Sequence, residues 1–296
     1  MARLLLTGNG TLFENLAAQW SADTDVVAIT TNADEPRAAV ELVGELHPDK
    51  VVHCGGLCTS AWDCATSINW SDEAESANLL AAAAAQAGAA ILFFSSDAVF
   101  AGPRIFHEED SPINDTCAVS IARCQIEQAI LHQAPDALIL RTHSYGWSRH
   151  NASFAQKSYE ALSQGIPIVV DGTSHSTPIL ASDLAAIVER AFRHHLHGLY
   201  HCSGAERTNQ FRFAEELAMI AGFDRQLIRT IKPPAIEDSI APVHCPETSL
   251  NCRQARRALA MPLPLLRAGL SRFVEQNTNG YRATLGVSQR VVQLAA

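Results

Sequence analysis

The sequence predicts an α/β fold organised around a doubly wound parallel sheet, and three observations carry that expectation. Short runs that are apolar on both faces recur through the first half of the chain, helical patterns separate them, and the first run ends in Gly8-Asn9-Gly10. Strands of that kind belong to parallel sheets covered by helices on both sides, whereas one-sided sheets alternate apolar with polar residues. In order, Arg3 to Thr7 reads as the first strand and Leu12 to Trp20 as the helix behind the glycine turn. Asp25 to Ile29 is a second strand, Glu35 to Leu46 a helix, and Lys50 to Cys54 a third strand closing in Gly55-Gly56. The alanine-rich stretch Glu73 to Ala87 is a helix by propensity, stopped by Gly88. Ala90 to Phe94 is a wholly apolar strand, Ile126 to His132 the end of a helix, and Ala137 to Leu140 another strand.

Beyond Arg141 the rhythm loosens. Phe154 to Gln164 reads as a helix, Ile166 to Val170 as a strand, Ala181 to His195 as a helix, Gly198 to Cys202 as a strand and Phe211 to Ala221 as a helix. Lys232 to Pro246 is loop-like, and Ser249 to Leu259 and Leu263 to Val274 are closing helices.

Composition narrows the function classes. With 47% hydrophobic and 18% charged residues, the 296-residue chain has ample material for a core. Its formal charge is −9 and its 22 Lys and Arg residues form no run, which argues against a nucleic-acid partner. The most apolar stretch, Leu79 to Phe94, is interrupted by Gln86 and Gly88 and is too short to span a membrane. Met1 leads directly into a strand and a glycine turn with no signal-peptide cleavage region, so a cytoplasmic protein is expected. Cys54, Cys58 and Cys64 lie close together in the chain, but none of the eight cysteines forms a Cys-x-x-Cys pair. They read as small buried thiols, and no metal site is expected. His194-His195-Leu196-His197 reads as a polar helix end before Gly198.

A glycine pair after a strand lets the backbone approach a pyrophosphate at a helix N-terminus, although a tight turn alone needs only one glycine. The distinctive segments come later. They are Phe94-Ser95-Ser96-Asp97-Ala98-Val99-Phe100-Ala101-Gly102, Glu108-Glu109-Asp110-x-Pro112-x-Asn114 and Arg141-Thr142-His143-Ser144-Tyr145-Gly146. Asn151-x-x-Phe154, Val169-Val170-Asp171-Gly172 with Thr177-Pro178, Gly198-Leu199-Tyr200-His201-x-x-Gly204 and Phe213-Ala214 follow. In this order and spacing the chain closely resembles the dTDP-4-dehydrorhamnose reductase family of extended short-chain dehydrogenases/reductases, over roughly Arg3 to Val274.

The resemblance implies a Rossmann-type dinucleotide-binding domain over residues 1–145, to which later segments return. A smaller C-terminal substrate lobe would occupy most of 146–280, with a tail at 281–296. It implies NAD or NADP as cofactor, a nucleotide-linked keto sugar as substrate, and a homodimer. Carried over by position, Gly8, Gly10, Thr11, Leu12, Asp34, Gly55 and Arg141 would hold the cofactor. Ser96, Asp97, Tyr145, Asn151, Phe154 and Thr177 would line the substrate cleft. Some of these residues also have plainer readings: Asp34 as a helix N-cap, Arg141 as a buried arginine paired with a carboxylate, and Tyr145 as interdomain core. His175, near Asp171, reads either as an acid or base or as an exposed loop histidine.

The chain departs from the family where the chemistry should be. The family uses a Ser or Thr, a Tyr that supplies the proton, and a Lys one helical turn later that binds the nicotinamide ribose and lowers the Tyr pKa. Ser96 matches the first. Between Asn114 and Glu127 there is no Tyr and no Lys. Anchoring on Glu127 puts Val119 and Arg123 at the two positions, and anchoring on Pro112 and Asn114 puts Thr116 and Ser120 there. An arginine with a pKa above about 12 is a poor acid near neutrality, and a threonine hydroxyl is weaker still. Phe13 stands where the family has a third glycine, and Thr30 to Asp34 is shorter than the stretch that grips the adenosine ribose. Lys50 is the only lysine before residue 150, and of Tyr145, Tyr159, Tyr200 and Tyr281 only Tyr145 lies in a cleft segment. The favoured expectation is therefore a sugar-nucleotide-binding protein that has lost the redox step. The alternative is a working NAD(P)-dependent reductase with an altered proton donor (water, Thr116 or Ser96, with Arg123 supplying charge), and a non-redox reaction in the same cleft ranks third.

Overall fold

The computed structural model describes residues 3–20, 25–30, 36–63, 68–231 and 247–286. Its strands are β1 (Leu4–Gly8), β2 (Val26–Thr30), β3 (Lys50–Cys54), β4 (Ala90–Ser96), β5 (Leu138–Thr142), β6 (Ser144–Tyr145), β7 (Ile168–Asp171), β8 (His175–Ser176), β9 (Ile179–Leu180), β10 (Gly198–His201), β11 (Thr208–Asn209) and β12 (Ile228–Ile231). The helices are α1 (Gly10–Gln19), α2 (Pro36–Leu46), α3 (Trp70–Ala87), α4 (Ala118–Gln133), α5 (Phe154–Ser163), α6 (Leu184–Arg193), α7 (Gln210–Ala221), α8 (Arg253–Leu259), α9 (Leu266–Thr278) and α10 (Tyr281–Thr284).

Six strands form one sheet in the order β10-β5-β4-β3-β1-β2, and all its pairings are parallel. The alternating faces of these strands build two cores. Leu4, Leu6, Val52, Leu92, Phe94 and Leu140 pack on one side with Leu16 and Ile187. Leu5, Val51, Ile91, Phe93 and Ile139 pack on the other with Leu42, Leu80 and Ile130. This is the Rossmann-type doubly wound sheet the sequence predicts, and it explains why the strands carry no polar face. No helix among the described residues is long and apolar enough to cross a membrane.

Helix α3 begins at Trp70, three residues ahead of the alanine-rich run. Asn69 accepts a hydrogen bond from the Ser71 amide at 3.1 Å, and Asp72 and Glu73 occupy the first turn. It ends at Gly88 with φ of 67°, a left-handed cap that costs glycine nothing.

A second layer gathers around Trp147, Phe213 and Phe273, with the Trp147 and Phe273 rings stacked at 4.3 Å. There β12 pairs with β7, in a segment that shows no strand pattern of its own. Ser249–Asn251 is not the start of a helix: Leu250 bridges to His107, and the Asn251 amide donates to the His107 carbonyl at 2.8 Å. Helix α8 therefore starts only at Arg253.

Arg141, next to last in β5, forms a buried ion pair with Glu127 on α4. Its Nε donates to Oε1 at 2.9 Å and its Nη2 to Oε2 at 2.6 Å, while Ser95 Oγ donates to the same Oε1 at 2.6 Å. Of the two readings of this arginine, the structure shows the carboxylate pairing and not a place on a ligand surface. Removing one partner of such a pair strands the other charge without water. Arg141→Met should cost about 3–5 kcal/mol in urea unfolding, and adding Glu127→Leu should restore most of that. A double variant no more stable than the single one would show that the pair does not hold β5 to α4.

Candidate functional site

The strand order switches side between β1 and β3, because β2 lies on the far side of β1. Open α/β sheets bind ligands outside the carboxyl ends of their strands at such a point. Here that place holds a cleft of about 820 Å³. One wall is Asn9–Leu12, the floor runs from His53 through Gly55, Gly56 and Cys58 to Ser60, and α3 contributes Glu73 and Ser76. Ser144, His150–Ser153 and Lys157 close the other side, with Asp63 between.

The first turn is built by two glycines with different roles. Gly8 has φ of 124°, and a Cβ there would overlap the Cys54 carbonyl oxygen, to which the Asn9 amide donates at 3.1 Å. It lets β1 run close against β3. Gly10, at φ of 79°, opens the N-terminus of α1 to the cleft. The Thr11 hydroxyl donates to the Asn151 carbonyl at 2.9 Å, and Glu14 accepts from Ser148 Oγ at 2.8 Å and from the Arg149 amide at 2.7 Å. These contacts seat the 148–151 loop beside the helix start. Phe13 is buried in the core beneath α1.

Gly10, Thr11, Leu12, Gly55 and Asn151 line the cleft as the resemblance implies, whereas Gly8 supports it from behind. The first turn of α1 carries no acidic residue, so its amides and Gly10 suit a pyrophosphate such as that of a nicotinamide dinucleotide. Asp34 lies outside the described residues, as do Cys64 and Cys245.

The catalytic candidates lie elsewhere. Ser96 is fully buried: its hydroxyl donates to Asp97 Oδ1 at 3.1 Å and accepts from the Ala98 amide at 3.1 Å, capping a short turn. Thr116 stands in an exposed turn, hydrogen-bonded to Asn114 at 2.8 Å. Ser120 donates to the Ala98 carbonyl at 2.9 Å. Arg123 is fully buried behind the floor, with Nη2 on the Thr59 carbonyl at 3.0 Å and the guanidinium 4.9 Å above the Trp70 ring. None of these four lines the cleft.

The remaining substrate-side candidates are corrected in the same way. Tyr145 is buried among Trp147, Phe213 and Phe273, its hydroxyl has no hydrogen-bond partner among the described residues, and burial pushes the phenol far above its usual range. Thr177 is buried against Ser203 at 2.7 Å and accepts from the Leu250 amide. Phe154 packs on Trp62 at 5.4 Å, and its amide donates to Asp63 Oδ1 at 2.7 Å. His175 binds the Thr173 carbonyl at 2.7 Å, away from the cleft. Tyr159 packs on Trp147, Tyr281 donates to Asn15 Oδ1 at 3.0 Å, and Tyr200 rests on the sheet core. No tyrosine lines the cleft among the described residues.

Asp97, read as a substrate contact, is the buried centre of the region. It accepts from the Ala61 amide at 3.0 Å, His143 Nδ1 at 2.7 Å, Ser176 Oγ at 2.6 Å and Thr248 Oγ1 at 2.6 Å, besides Ser96. Burial on its own would raise its pKa. Electrostatic attraction to His143 and the hydrogen bonds from His143, Ser176 and Thr248 outweigh burial and hold it at about 2.

The polar groups that do face the cleft escape a reading of the sequence. His53 reads only as part of a strand and Glu73 as the start of a helix, while Asp63 and Lys157 carry no local pattern. Burial lowers the His53 pKa, with Glu73 opposing. Burial raises Asp63 against His143, Ser60 and the Phe154 amide, and raises the Cys58 thiol to about 12. The described cysteines are free and buried, and no described group of three or more His, Cys, Asp or Glu side chains could hold a metal.

The family described as RmlD substrate binding domain matches residues 1–279. A search of curated proteins finds no match. Among solved structures, dTDP-4-dehydrorhamnose reductase from Bacillus anthracis str. Ames in complex with NADP aligns with a TM-score of 0.78 at 18% identity, covering 93% of this chain and 99% of that one. A dTDP-4-dehydrorhamnose reductase from Clostridium acetobutylicum ATCC 824 aligns at 0.74 and 19%, over 93% and 99%. The Bordetella bronchiseptica enzyme WbmG, in complex with NAD and UDP, aligns at 0.72 and 16%, over 95% of each chain. At these identities the likeness establishes a shared fold.

Because folding lowers the Asp97 pKa from 3.8 to about 2, its contribution is fully present above about pH 4 and is lost as the pH falls toward 2. That contribution is about 2 kcal/mol. Acid unfolding followed by tryptophan fluorescence should show it, and Asp97→Asn should remove it and lower stability at neutral pH. An unchanged acid transition in the variant would contradict this assignment.

Proposed function

The chain belongs to the RmlD substrate binding domain family, and we propose that it binds a nucleotide-linked sugar in this cleft without performing the family's hydride transfer. The observation that carries the reading is the absence of any described phenol at the cleft, together with the buried structural roles of Ser96 and Arg123. Without a hydroxyl aimed at the substrate carbonyl, reduction loses its proton donor, which typically costs about 10²–10⁴-fold in rate. The cleft presents Thr11, Ser60, Asp63, Asn69, Asn151 and Lys157, polar groups that suit a ligand rich in hydroxyls and phosphates. A nicotinamide dinucleotide would meet Gly10, Thr11 and Leu12 with its pyrophosphate; when bound, it would supply hydride chemistry. The six described cysteines are free and buried, which suits a reducing compartment, so we assign the protein to the cytoplasm.

A reductase with an unusual donor is the second reading, and one group favours it. Asp63 lines the cleft with a raised pKa, held by Ser60 Oγ at 3.0 Å and by the Phe154 amide. A protonated carboxyl there could replace the phenol, which Thr116 and Ser96 cannot do from their positions.

Calorimetric titration with UDP-glucose, dTDP-glucose, NADH and NADPH decides whether the cleft binds. Loss of NADPH absorbance with dTDP-4-dehydrorhamnose decides whether it reduces. The expected result is nucleotide-sugar binding at micromolar to millimolar concentration with no NADPH consumption above background. Turnover abolished by Asp63→Asn would establish the second reading, and no binding of either nucleotide sugar at millimolar concentration would overturn the first.

A further inference from the structure

The floor of the cleft holds two side chains that nothing in the family resemblance assigns. His53 and Glu73 are each only 3% exposed, yet both border the cleft. They converge over Gly55, where a Cβ would overlap Glu73 Oε1 and lie 2.5 Å from His53 Nε2. Any side chain at this position would displace one of them. Among the described residues, the sole hydrogen bond to the Glu73 carboxyl comes from the Leu57 amide, at 3.0 Å to Oε1. Its other oxygen has no donor among those residues. With both residues bordering the cleft, this oxygen is open to a partner there.

The tautomer of His53 follows from Thr7. The Thr7 hydroxyl is fully buried, and His53 Nδ1, at 2.8 Å, is its only hydrogen-bond partner among the described residues. A buried hydroxyl must place its proton, so Thr7 donates to Nδ1 and the ring proton sits on Nε2. The Phe93 ring holds the imidazole from the other side, edge-on at 5.5 Å between centroids. The floor therefore presents a donor, His53 Nε2–H, over Gly55 and an acceptor, Glu73 Oε2, over the neighbouring Gly56.

We propose that His53 and Glu73 form a binding site for a vicinal diol, with the carboxyl accepting from one hydroxyl and the imidazole donating to its neighbour. A diol fits because each hydroxyl both donates and accepts. A nucleobase fits less well, since no phenyl, phenol or indole ring among the described residues lines the cleft for it to stack on. Ribose and a pyranose share this chemistry. The assignment rests on the reading of the cleft as a nucleotide-sugar site.

Calorimetry on the full chain separates these points, using UDP-glucose, whose ribose carries a diol, and dTDP-glucose, whose deoxyribose does not. Glu73→Gln keeps the acceptor for the Leu57 amide but turns the free oxygen into a donor. It should weaken UDP-glucose binding about ten- to hundredfold, as loss of a hydrogen bond to a charged group does. If the ribose is the diol bound, dTDP-glucose binds weakly to both proteins; if the glucose is bound, both ligands lose affinity in the variant. Should Glu73→Gln fail to fold, Glu73→Asp, which withdraws the carboxyl by one methylene, reads the same loss. Wild-type binding that neither variant weakens would overturn the diol site and leave the cleft assignment standing. No wild-type binding of either ligand would overturn both.

Discussion

One buried carboxylate ties the molecule together. Asp97 sits at the carboxyl end of β4 with no exposure, and five donors from separate parts of the chain converge on it. An ion so placed is tolerated only when every lone pair is met, so the donors must all arrive together. Ala61 brings the loop after β3, His143 the segment after β5, Ser176 strand β8, and Thr248 the stretch that leads into α8. The ribbon that carries the cleft and the segments of the second layer are thereby fixed to one point. Trp62, packed edge-on to His143 at 4.6 Å, carries that order to Phe154 and Phe213.

Seen from this centre, several of the family-like residues have a structural explanation. Ser96, Arg123 and Arg141 are each committed to the framework. Ser96 caps a turn onto Asp97, Arg123 braces Thr59 from behind, and Arg141 pairs with Glu127. A hydroxyl satisfied by a neighbouring carboxylate and an amide proton is not available to a substrate carbonyl. A guanidinium stacked on Trp70 and bound to a main-chain carbonyl is likewise occupied. These contacts give each residue a place in the framework, and its presence therefore carries no implication about redox chemistry.

The sheet was legible in the sequence because its strands are apolar at both parities: Leu4 and Leu6 enter one core and Leu5 the other. Strand β12 was not, because its pairing with β7 comes from tertiary contact rather than from any pattern in Ile228-Arg229-Thr230-Ile231. Within the site, the glycines and Asn151 could be placed by position along the chain. His53 and Glu73 could not, since some twenty residues of chain separate them and neither the strand nor the helix pattern shows which side chain turns toward the crevice. Tyr145 misleads for the opposite reason: it follows a strand that ends at the cleft, but its own short strand β6 pairs with β9 and turns the ring into the aromatic core.

What makes the floor of the cleft specific is register. In the parallel pairing of β1 with β3, Thr7 stands opposite His53 and Gly8 opposite Cys54; in that of β3 with β4, His53 stands opposite Phe93. Thr7, His53 and Phe93 therefore lie side by side on the face that α3 covers, and Glu73 reaches them from its first turn. A slip of one residue would send the imidazole to the other face, because side chains alternate along a strand. Gly8 allows β1 to approach closely enough for the Thr7 hydroxyl to hold the ring, and Gly55 leaves the space in which the ring and the carboxyl meet. The two glycines thus serve one arrangement. The first, which reads in the sequence as a phosphate-binding residue, acts here through the histidine that its strand positions.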